Sequence, residues 1–192
     1  MKQKTPQKFV SRGGLKLEKA LDTFAISPTG WVCLDVGAST GGFTDLLLQR
    51  GAKKIYAVDV GYGQLAWKLR KDPRVVVLER QNIRYLSPAD VPEKINLAVI
   101  DVAFISLELV FPRLKLFLDP KAIVVALIKP QFEVARHQVG PKGVVRDPAL
   151  HDWAVDKITK AGISEGWALK GVCESPLLGP EGNKEFLIYF QT

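Results

Sequence analysis

Hydrophobic positions along this chain fall into short solid blocks that alternate with segments of helical spacing. The block at residues 31–36 runs into glycines, which is typical of a buried strand, whereas residues 17–24 carry apolar side chains three and four positions apart and predict a helix. The predicted strands cover residues 31–36, 55–60, 75–78, 95–102, 121–128, 167–173 and 186–190. The predicted helices cover residues 17–24, 43–50, 64–70, 104–117 and 147–161.

Strands that alternate with helices and are apolar on both faces predict a parallel sheet covered on both sides. The last two strands are joined by residues 175–184, a Pro- and Gly-rich segment that suits a hairpin. We therefore predict an α/β fold with a seven-stranded, mostly parallel sheet and a C-terminal antiparallel hairpin. Ligands in such sheets bind beyond the carboxyl ends of the strands.

Composition narrows the class of protein. The 192 residues fit one domain, and 27 Lys and Arg against 20 Asp and Glu give a net charge of +7. The longest uninterrupted apolar run, at 122–128, is far too short to span a bilayer, and no apolar segment follows the first basic residues as in a secretory signal. Cys33 and Cys173 lie in strand-like runs, so we expect reduced cysteines, no metal site and a cytoplasmic protein.

Three interpretations compete for the glycine-rich segment that follows the first predicted strand. A dinucleotide-binding turn would use Gly37, Ser39 and Gly42, with Ser39 in the place of the middle glycine. A hydrolase nucleophile elbow would use Gly37, Ser39 and Gly41. An S-adenosylmethionine turn would need only an acid and a glycine, here Asp35 and Gly37, and no phosphate contact.

The second predicted strand bears on this choice. It carries Asp59, 18 residues after Gly41, where an acid can hold the two hydroxyls of an adenosine ribose. A hydrolase needs no such acid. Neither His137 nor His151 has a recognisable orienting context, so both are interpreted as surface or lid histidines. The residues favour an adenosine-containing cofactor without distinguishing the remaining alternatives.

Two charged residues end neighbouring apolar runs. Asp101 lies at the end of the fourth predicted strand, and Lys129 follows the fifth. Carboxyl ends of parallel strands meet at one edge of a sheet, so an acid and an amine should lie side by side over the ligand crevice. Burial would favour the neutral amine of Lys129, whereas an adjacent carboxylate would favour the charged form. Asp101 is therefore interpreted as orienting the amine.

Seven segments of this sequence, in order and with compatible spacing, resemble the TlyA family. Its members are often labelled haemolysins and are similar to the FtsJ-like 2′-O-ribose methyltransferases of RNA. The matching segments are residues 11–17, 35–44, 57–65, 101–106, 129–133, 143–147 and 182–187.

The resemblance implies a Rossmann-like methyltransferase fold, S-adenosylmethionine as cofactor, S-adenosylhomocysteine as product, and the ribose of a cytidine in ribosomal RNA as substrate. It also implies a catalytic tetrad of Lys16, Asp101, Lys129 and Glu185. For Lys16 and Glu185 the residue pattern alone indicates only a helix-face lysine and an edge-strand glutamate. The cofactor-binding residues implied are Asp35, Gly37, Ala38, Ser39, Thr40, Gly41, Gly42, Phe43, Asp59, Val60, Asn82 and Asp101.

Charge suggests how RNA would be held. Residues 1–20 carry six bases and one acid, so residues 1–10 are interpreted as a basic arm and 11–192 as the methyltransferase domain. The irregular segment 129–146 is a candidate lid or substrate loop. Phosphate contacts are predicted for Arg12, Arg136, Lys142 and Arg146.

Several expectations concern partners. The predicted partners are ribosomal RNA and ribosomal subunits, with no membrane partner and with a monomer favoured. TlyA-like proteins usually carry an S4-type RNA-binding domain ahead of the methyltransferase, and only Met1 to Phe9 precede the first motif, so this domain is expected to be absent. Tyr62 and Trp67 either stack on a base or pack in the core. The alternatives left open are a membrane-active haemolysin and a non-catalytic RNA-binding module.

Overall fold

A computed structural model describes residues 7–192 as seven strands in one sheet flanked by helices. The strand order is β3-β2-β1-β4-β5-β7-β6, with β1 to β5 parallel and β7 antiparallel to both of its neighbours. The α/β prediction, including the antiparallel hairpin at the C-terminal end, is confirmed. The strands are β1 Val32–Val36, β2 Lys54–Asp59, β3 Val75–Glu79, β4 Ile95–Ile100, β5 Leu118–Ile128, β6 Ala168–Glu174 and β7 Phe186–Gln191.

The helices lie on both faces of this sheet because the strands are apolar on both faces. Along β4, Leu97 and Val99 join the core on one side, and Ala98 and Ile100 join the core on the other. The α-helices are α1 Gly13–Thr23, α2 Gly42–Gln49, α3 Trp67–Arg70, α4 Phe111–Leu114, α5 Pro130–Glu133 and α6 Pro148–Ser164. Single 3-10 turns lie at Pro88–Asp90, Leu107–Leu109, Arg136–Gln138, Pro141–Gly143 and Pro180–Gly182.

The helix predicted for residues 104–117 is wrong as one continuous element. Phe104 has a φ of +63°, which an α-helix cannot include. The Ser106 side chain then caps a 3-10 turn, and Pro112 lies in the first turn of α4, where its missing N–H costs no hydrogen bond. The chain enters β5 at Leu118, three residues before the predicted start.

The N-terminal segment fixes α1 to the domain. Residues 1–6 of the predicted arm lie outside the described residues. Phe9 is buried, and its ring occupies the space that a Cβ on Gly14 would fill. The Val10 N–H donates a 2.8 Å hydrogen bond to Asp45 of α2. The last two residues of the predicted arm therefore pack against the domain and help to hold α1, the helix that carries Lys16.

Candidate active site

A cavity of about 310 Å³ lies at the carboxyl edge of β1, β4 and β5, where the strand order reverses. Its wall combines the start of α1, the loop between β1 and α2, the ends of β4 and β5, and the segment that leads into β7. This is the position at which open α/β sheets bind ligands. The lining residues are Ser11, Arg12, Gly13, Lys16, Gly37, Ala38, Ser39, Thr40, Gly42, Phe43, Asp101, Lys129, Leu177, Leu178, Gly179, Pro180 and Glu185.

The loop between β1 and α2 depends on glycine. Gly37 has a φ of +86°, and a Cβ at this position would overlap the backbone carbonyl oxygen of Asp101. Gly41, with a φ of +99°, precedes α2. Leucine side chains in and beside α3 lie so close to Gly41 that they leave no space for a Cβ. The loop backbone therefore packs closely against the end of β4 and leaves the cavity open above it.

The carboxylate of Asp59 joins this loop to the end of β2. Its Oδ2 accepts a 2.7 Å hydrogen bond from the Ser39 N–H, and its Oδ1 accepts a 2.7 Å bond from the Gly61 N–H. Asp59 thus lies beside the glycine loop, but it does not line the cavity itself.

A second acid lies beneath the loop. Asp35 is fully buried, and its Oδ2 accepts a 2.6 Å hydrogen bond from the Thr44 hydroxyl while its Oδ1 has no partner among residues 7–192. Burial raises the pKa of Asp35 to about 7; the Thr44 hydroxyl opposes this shift, and the negative charge of Asp101 adds to it. Asp35 does not reach the cavity surface, so it supports the loop from below.

The first of two lysine–carboxylate pairs joins the ends of β4 and β5. Lys129 Nζ lies 2.6 Å from Asp101 Oδ1, with 12% and 23% of the two side chains exposed. The parallel pairing of β4 and β5 brings their carboxyl ends to the same edge, so the juxtaposition predicted from sequence follows directly from the sheet.

The second pair joins α1 to the segment before β7. Lys16 Nζ lies 2.5 Å from Glu185 Oε2, and Glu185 is completely buried. Gly179 passes so close to the Glu185 carboxylate that any side chain there would overlap it. Two ammonium–carboxylate pairs therefore stand in one cavity, each linking different elements of the fold.

Comparison with known proteins identifies the relatives of this chain. The model of FtsJ-like methyltransferases matches residues 9–192. The 16S/23S rRNA (cytidine-2′-O)-methyltransferase TlyA of Mycobacterium tuberculosis is 52% identical over 184 residues, which cover 96% of this chain and 69% of that protein. The chain belongs to the TlyA family of FtsJ-like methyltransferases.

Solved structures agree with this assignment. A Lactococcus lactis protein that carries the hemolysin name has 50% identity and a TM-score of 0.93, covering 96% of this chain and 88% of that one. An S-adenosylmethionine-dependent methyltransferase from Mesorhizobium loti shares the fold, with 16% identity and a TM-score of 0.66 over 91% of this chain and 96% of that one. The chain spans 66% to 69% of the length of the first curated relatives that it matches.

This cavity contains most of the catalytic and cofactor-binding residues predicted from the sequence. All four members of the predicted tetrad line it, together with the loop residues Gly37, Ala38, Ser39, Thr40, Gly42 and Phe43. Five predicted cofactor residues do not line it. Asp35 and Gly41 lie behind the loop, Asp59 bonds to its backbone, Val60 is exposed to solvent, and Asn82 accepts a hydrogen bond within its own turn.

Sequence reasoning missed one wall of the cavity. The sequence predicts only a hairpin connection for the segment that leads to β7, but Leu177, Leu178, Gly179 and Pro180 line the cavity. The Pro- and Gly-rich composition of this segment indicates a turn and carries no sign of a ligand contact. Ser11 and Gly13 also line the cavity, and the resemblance of residues 11–17 to the TlyA family implies no role for them.

A second cavity of about 600 Å³ adjoins the first and shares Lys129 and Pro180 with it. Phe104, which is 91% exposed, lies against Phe132 with ring centroids 5.1 Å apart. Both aromatic rings and the predicted RNA-binding residues Arg136 and Lys142 line this cavity. Of the other two, Arg12 lines the first cavity, and Arg146 is exposed outside both.

The candidate lid at 129–146 is hydrogen-bonded to the segment that leads into β7. Asn183 is buried, donates a 2.9 Å hydrogen bond to the Gly143 carbonyl and accepts one of 3.0 Å from the Val145 N–H. The two segments that border both cavities are therefore linked by one amide side chain.

Core packing of Tyr62 and Trp67 is excluded. Each is 69% exposed, with Arg80 over the Tyr62 ring and Lys71 over the Trp67 ring. Between residues 7 and 192, no helix has the length and apolar character needed to cross a membrane. The same residues contain no group of three or more His, Cys, Asp or Glu side chains arranged to hold a metal ion.

Proposed function

We propose that this protein transfers a methyl group from S-adenosylmethionine to the ribose 2′-hydroxyl of a cytidine in ribosomal RNA. The observation that carries the proposal is the presence of both lysine–carboxylate pairs in one cavity whose opposite wall is a glycine loop. The relatives' names support the substrate class, since the TlyA protein of M. tuberculosis is named for this reaction on 16S and 23S rRNA. Ribosomes as the substrate imply action in the cytoplasm.

The residues of the cavity fit this cofactor. The glycine loop leaves a cradle that a side chain at Gly37 would disturb, and Asp59 stands beside it to hold a ribose. Asp59 and Asp101, which lie beside the loop, suit a cofactor with a positive sulfur. When bound, S-adenosylmethionine would supply an activated methyl group: the 2′-oxygen would bond to the methyl carbon as the bond from that carbon to sulfur breaks, and S-adenosylhomocysteine would leave. We name the glycine loop with Asp59 the cofactor side.

The part of the cavity that contains the two lysine–carboxylate pairs would receive the RNA. We use the name acceptor side for Lys16, Asp101, Lys129 and Glu185, together with the adjoining cavity at Phe104 and Phe132. A base splayed out of its helix would enter the second cavity, where two aromatic rings offer a stacking surface and Arg136 and Lys142 offer phosphate contacts.

On the acceptor side, the residues would position the hydroxyl and take up its proton. Lys129 would orient the 2′-hydroxyl. As the new bond from oxygen to methyl forms, the hydroxyl proton would pass to Lys129 Nζ while Lys129 gives one of its own protons to Asp101 Oδ1, 2.6 Å away. Glu185 holds Lys16 so that its positive charge faces the developing oxyanion. Most of the rate enhancement would come from orientation, since the methyl group is already activated.

The test is transfer of radiolabelled methyl groups to purified ribosomal subunits and to free rRNA, followed by nucleoside mass spectrometry. Lys129→Ala should lower the rate by at least about a hundredfold while S-adenosylmethionine still binds. Lys160→Ala, which removes an exposed lysine of α6, is the matched control and should behave as wild type. If the wild-type protein methylates no ribosomal substrate, or if the Lys129 variant keeps full activity, the proposal is wrong.

A further inference from the structure

Glu133 is the last residue of α5 and lies four residues after Lys129. It is buried and belongs to neither of the two lysine–carboxylate pairs of the cavity. Its carboxylate accepts three hydrogen bonds. Oε1 accepts from the Leu107 N–H at 3.0 Å, and Oε2 accepts from the Ser106 hydroxyl at 2.6 Å and from Lys157 Nζ at 3.1 Å. A single buried side chain therefore contacts the loop after β4 and helix α6, while its own backbone belongs to the turn after β5.

The two segments joined by Glu133 are the ones that carry the acceptor side. The loop after β4 begins at Asp101, includes Phe104 in its left-handed conformation and ends at Ser106. The turn after β5 begins at Lys129 and includes Phe132, whose ring meets that of Phe104. Asp101 and Lys129 make contact at one end of the two segments, and Glu133 fastens them at the other.

Helix α6 completes this attachment. Lys157 Nζ donates to both the carboxylate and the backbone carbonyl of Glu133, at 3.1 and 3.0 Å. The same Nζ lies 2.9 Å from Oε2 of the exposed Glu108. The buried carboxylate is thus matched by one cation and two neutral donors, which offsets the cost of burying its charge. Burial raises the pKa of Glu133 despite these donors.

We propose that Glu133 is a positioning residue for methyl transfer, fixing the loop after β4 against the turn after β5 so that Asp101, Lys129 and the two phenylalanines keep their places. This inference rests on the proposed function. It assigns Glu133 no contact with the cofactor, since Glu133 lines neither cavity. Its loss should therefore slow transfer and leave cofactor binding unchanged.

The test compares Glu133→Ala, Glu133→Gln and the control Glu108→Gln, which removes the outer partner of the same lysine. Rates are measured in single turnovers with saturating cofactor and RNA, and cofactor affinity is measured by calorimetry. Glu133→Ala should lose at least about thirtyfold in rate, and Glu133→Gln should recover part of it: its amide oxygen still accepts from Leu107 and its amino group can donate to Ser106, but that group cannot accept from Lys157. Glu108→Gln should match wild type, and all three variants should bind cofactor with unchanged affinity.

Ser106→Ala removes the same link from its other end and keeps the inference testable if Glu133→Ala does not fold. It should lower the rate, and the double variant with Glu133→Gln should be slower by less than the product of the two single losses, because the two changes share one contact. Equal losses of cofactor affinity and rate in Glu133→Ala would overturn the inference. Wild-type rates in Glu133→Ala and Ser106→Ala would overturn it as well.

Hydrogen exchange separates this inference from the proposed function, because it needs no methyl transfer. In Glu133→Ala, or in Ser106→Ala if the Glu133→Ala variant is unfolded, amides in 101–109 should exchange faster, while those of the glycine loop at 37–43 keep their protection. If the wild-type protein transfers no methyl group, the proposed function fails and this measurement alone decides. Unchanged exchange in 101–109 would then overturn the positioning role.

Discussion

The cofactor side and the acceptor side of the cavity differ in how they are built. The cofactor side comes from one β-α-β unit, and its contacts are mainly backbone groups, such as the Ser39 and Gly61 N–H groups on Asp59. The acceptor side comes from four distant segments, and its contacts are charged side chains, including a pair separated by 169 positions. The cofactor side is therefore formed within one short stretch of the chain, whereas the acceptor side exists only when the whole sheet has formed.

The largest effect should come from Gly37→Ala, because Gly37 lies where the two sides touch. An alanine at a φ of +86° costs about 1–2 kcal/mol in strain, and its Cβ must also displace the Asp101 carbonyl. We expect cofactor affinity and methyl transfer each to fall by at least about a hundredfold. Calorimetry and methyl transfer measure the two losses.

Gly30→Ala is the matched control for that substitution. Gly30 also has a positive φ, +77°, but open space surrounds the position of its Cβ. It should bring a comparable strain without a change in cofactor affinity. If the two variants bind cofactor equally well, the close packing of the loop on β4 is unimportant for binding.

A smaller effect, confined to the acceptor side, is expected from Glu185→Gln. The amide keeps the shape of the carboxylate but removes the charge that holds Lys16. We expect the rate to fall by about tenfold to a hundredfold, with cofactor affinity changed by less than about threefold. Glu174→Gln, at the exposed pair with Lys184, should have no effect in the same assays. A parallel loss of cofactor affinity would show that the two sides are not separable.

The smallest effect on activity is expected from Asp35→Asn, which tests the support beneath the cofactor side. The raised pKa of Asp35, about 7, means that the wild-type protein loses stability as the pH rises from about 4 to 7, because the unfolded chain releases this proton more readily. The loss amounts to as much as about 4 kcal/mol at 1.36 kcal/mol per pH unit.

Asparagine can still accept from Thr44 and has no proton to release, so the variant should gain stability over wild type across this pH range. Thermal and urea unfolding between pH 4 and 8 measure the difference. Asp156→Asn, at an exposed pair on α6, is the control. A constant difference at every pH would contradict the raised pKa.

Local features of the site could be predicted from sequence for a physical reason. The glycine loop, Asp59, Asp101 and Lys129 all follow predicted strands, and parallel strands bring their carboxyl ends to one edge. The sheet therefore converts a position along the chain into a position in space. No such rule places Lys16 beside Glu185. These two residues come together only because α1 packs on the domain and β7 lies beside β5. Family resemblance, and no pattern in the residues, selected them.

The remaining errors arise where tertiary contacts override local preference. The apolar spacing of residues 104–117 predicts a helix, but the contacts of Ser106 with Glu133 fix a loop there. Leu177 to Pro180 form a wall of the cavity only because Gly179 passes against the buried Glu185. Neither arrangement leaves a periodic signal in the sequence.

Strand β7 is the last strand of the chain, yet it lies between β5 and β6 in the sheet. The acceptor side, which includes Glu185 just before β7, is therefore completed only near the end of synthesis. Synthesis proceeds from the N-terminus, so Lys16 is made 169 residues before Glu185. At roughly 5–20 residues per second, that interval is on the order of 10 to 30 s. During that time the glycine loop and the first five strands can form, while the acceptor side lacks its fourth charged group. A nascent chain can thus form the cofactor side before it completes the acceptor side.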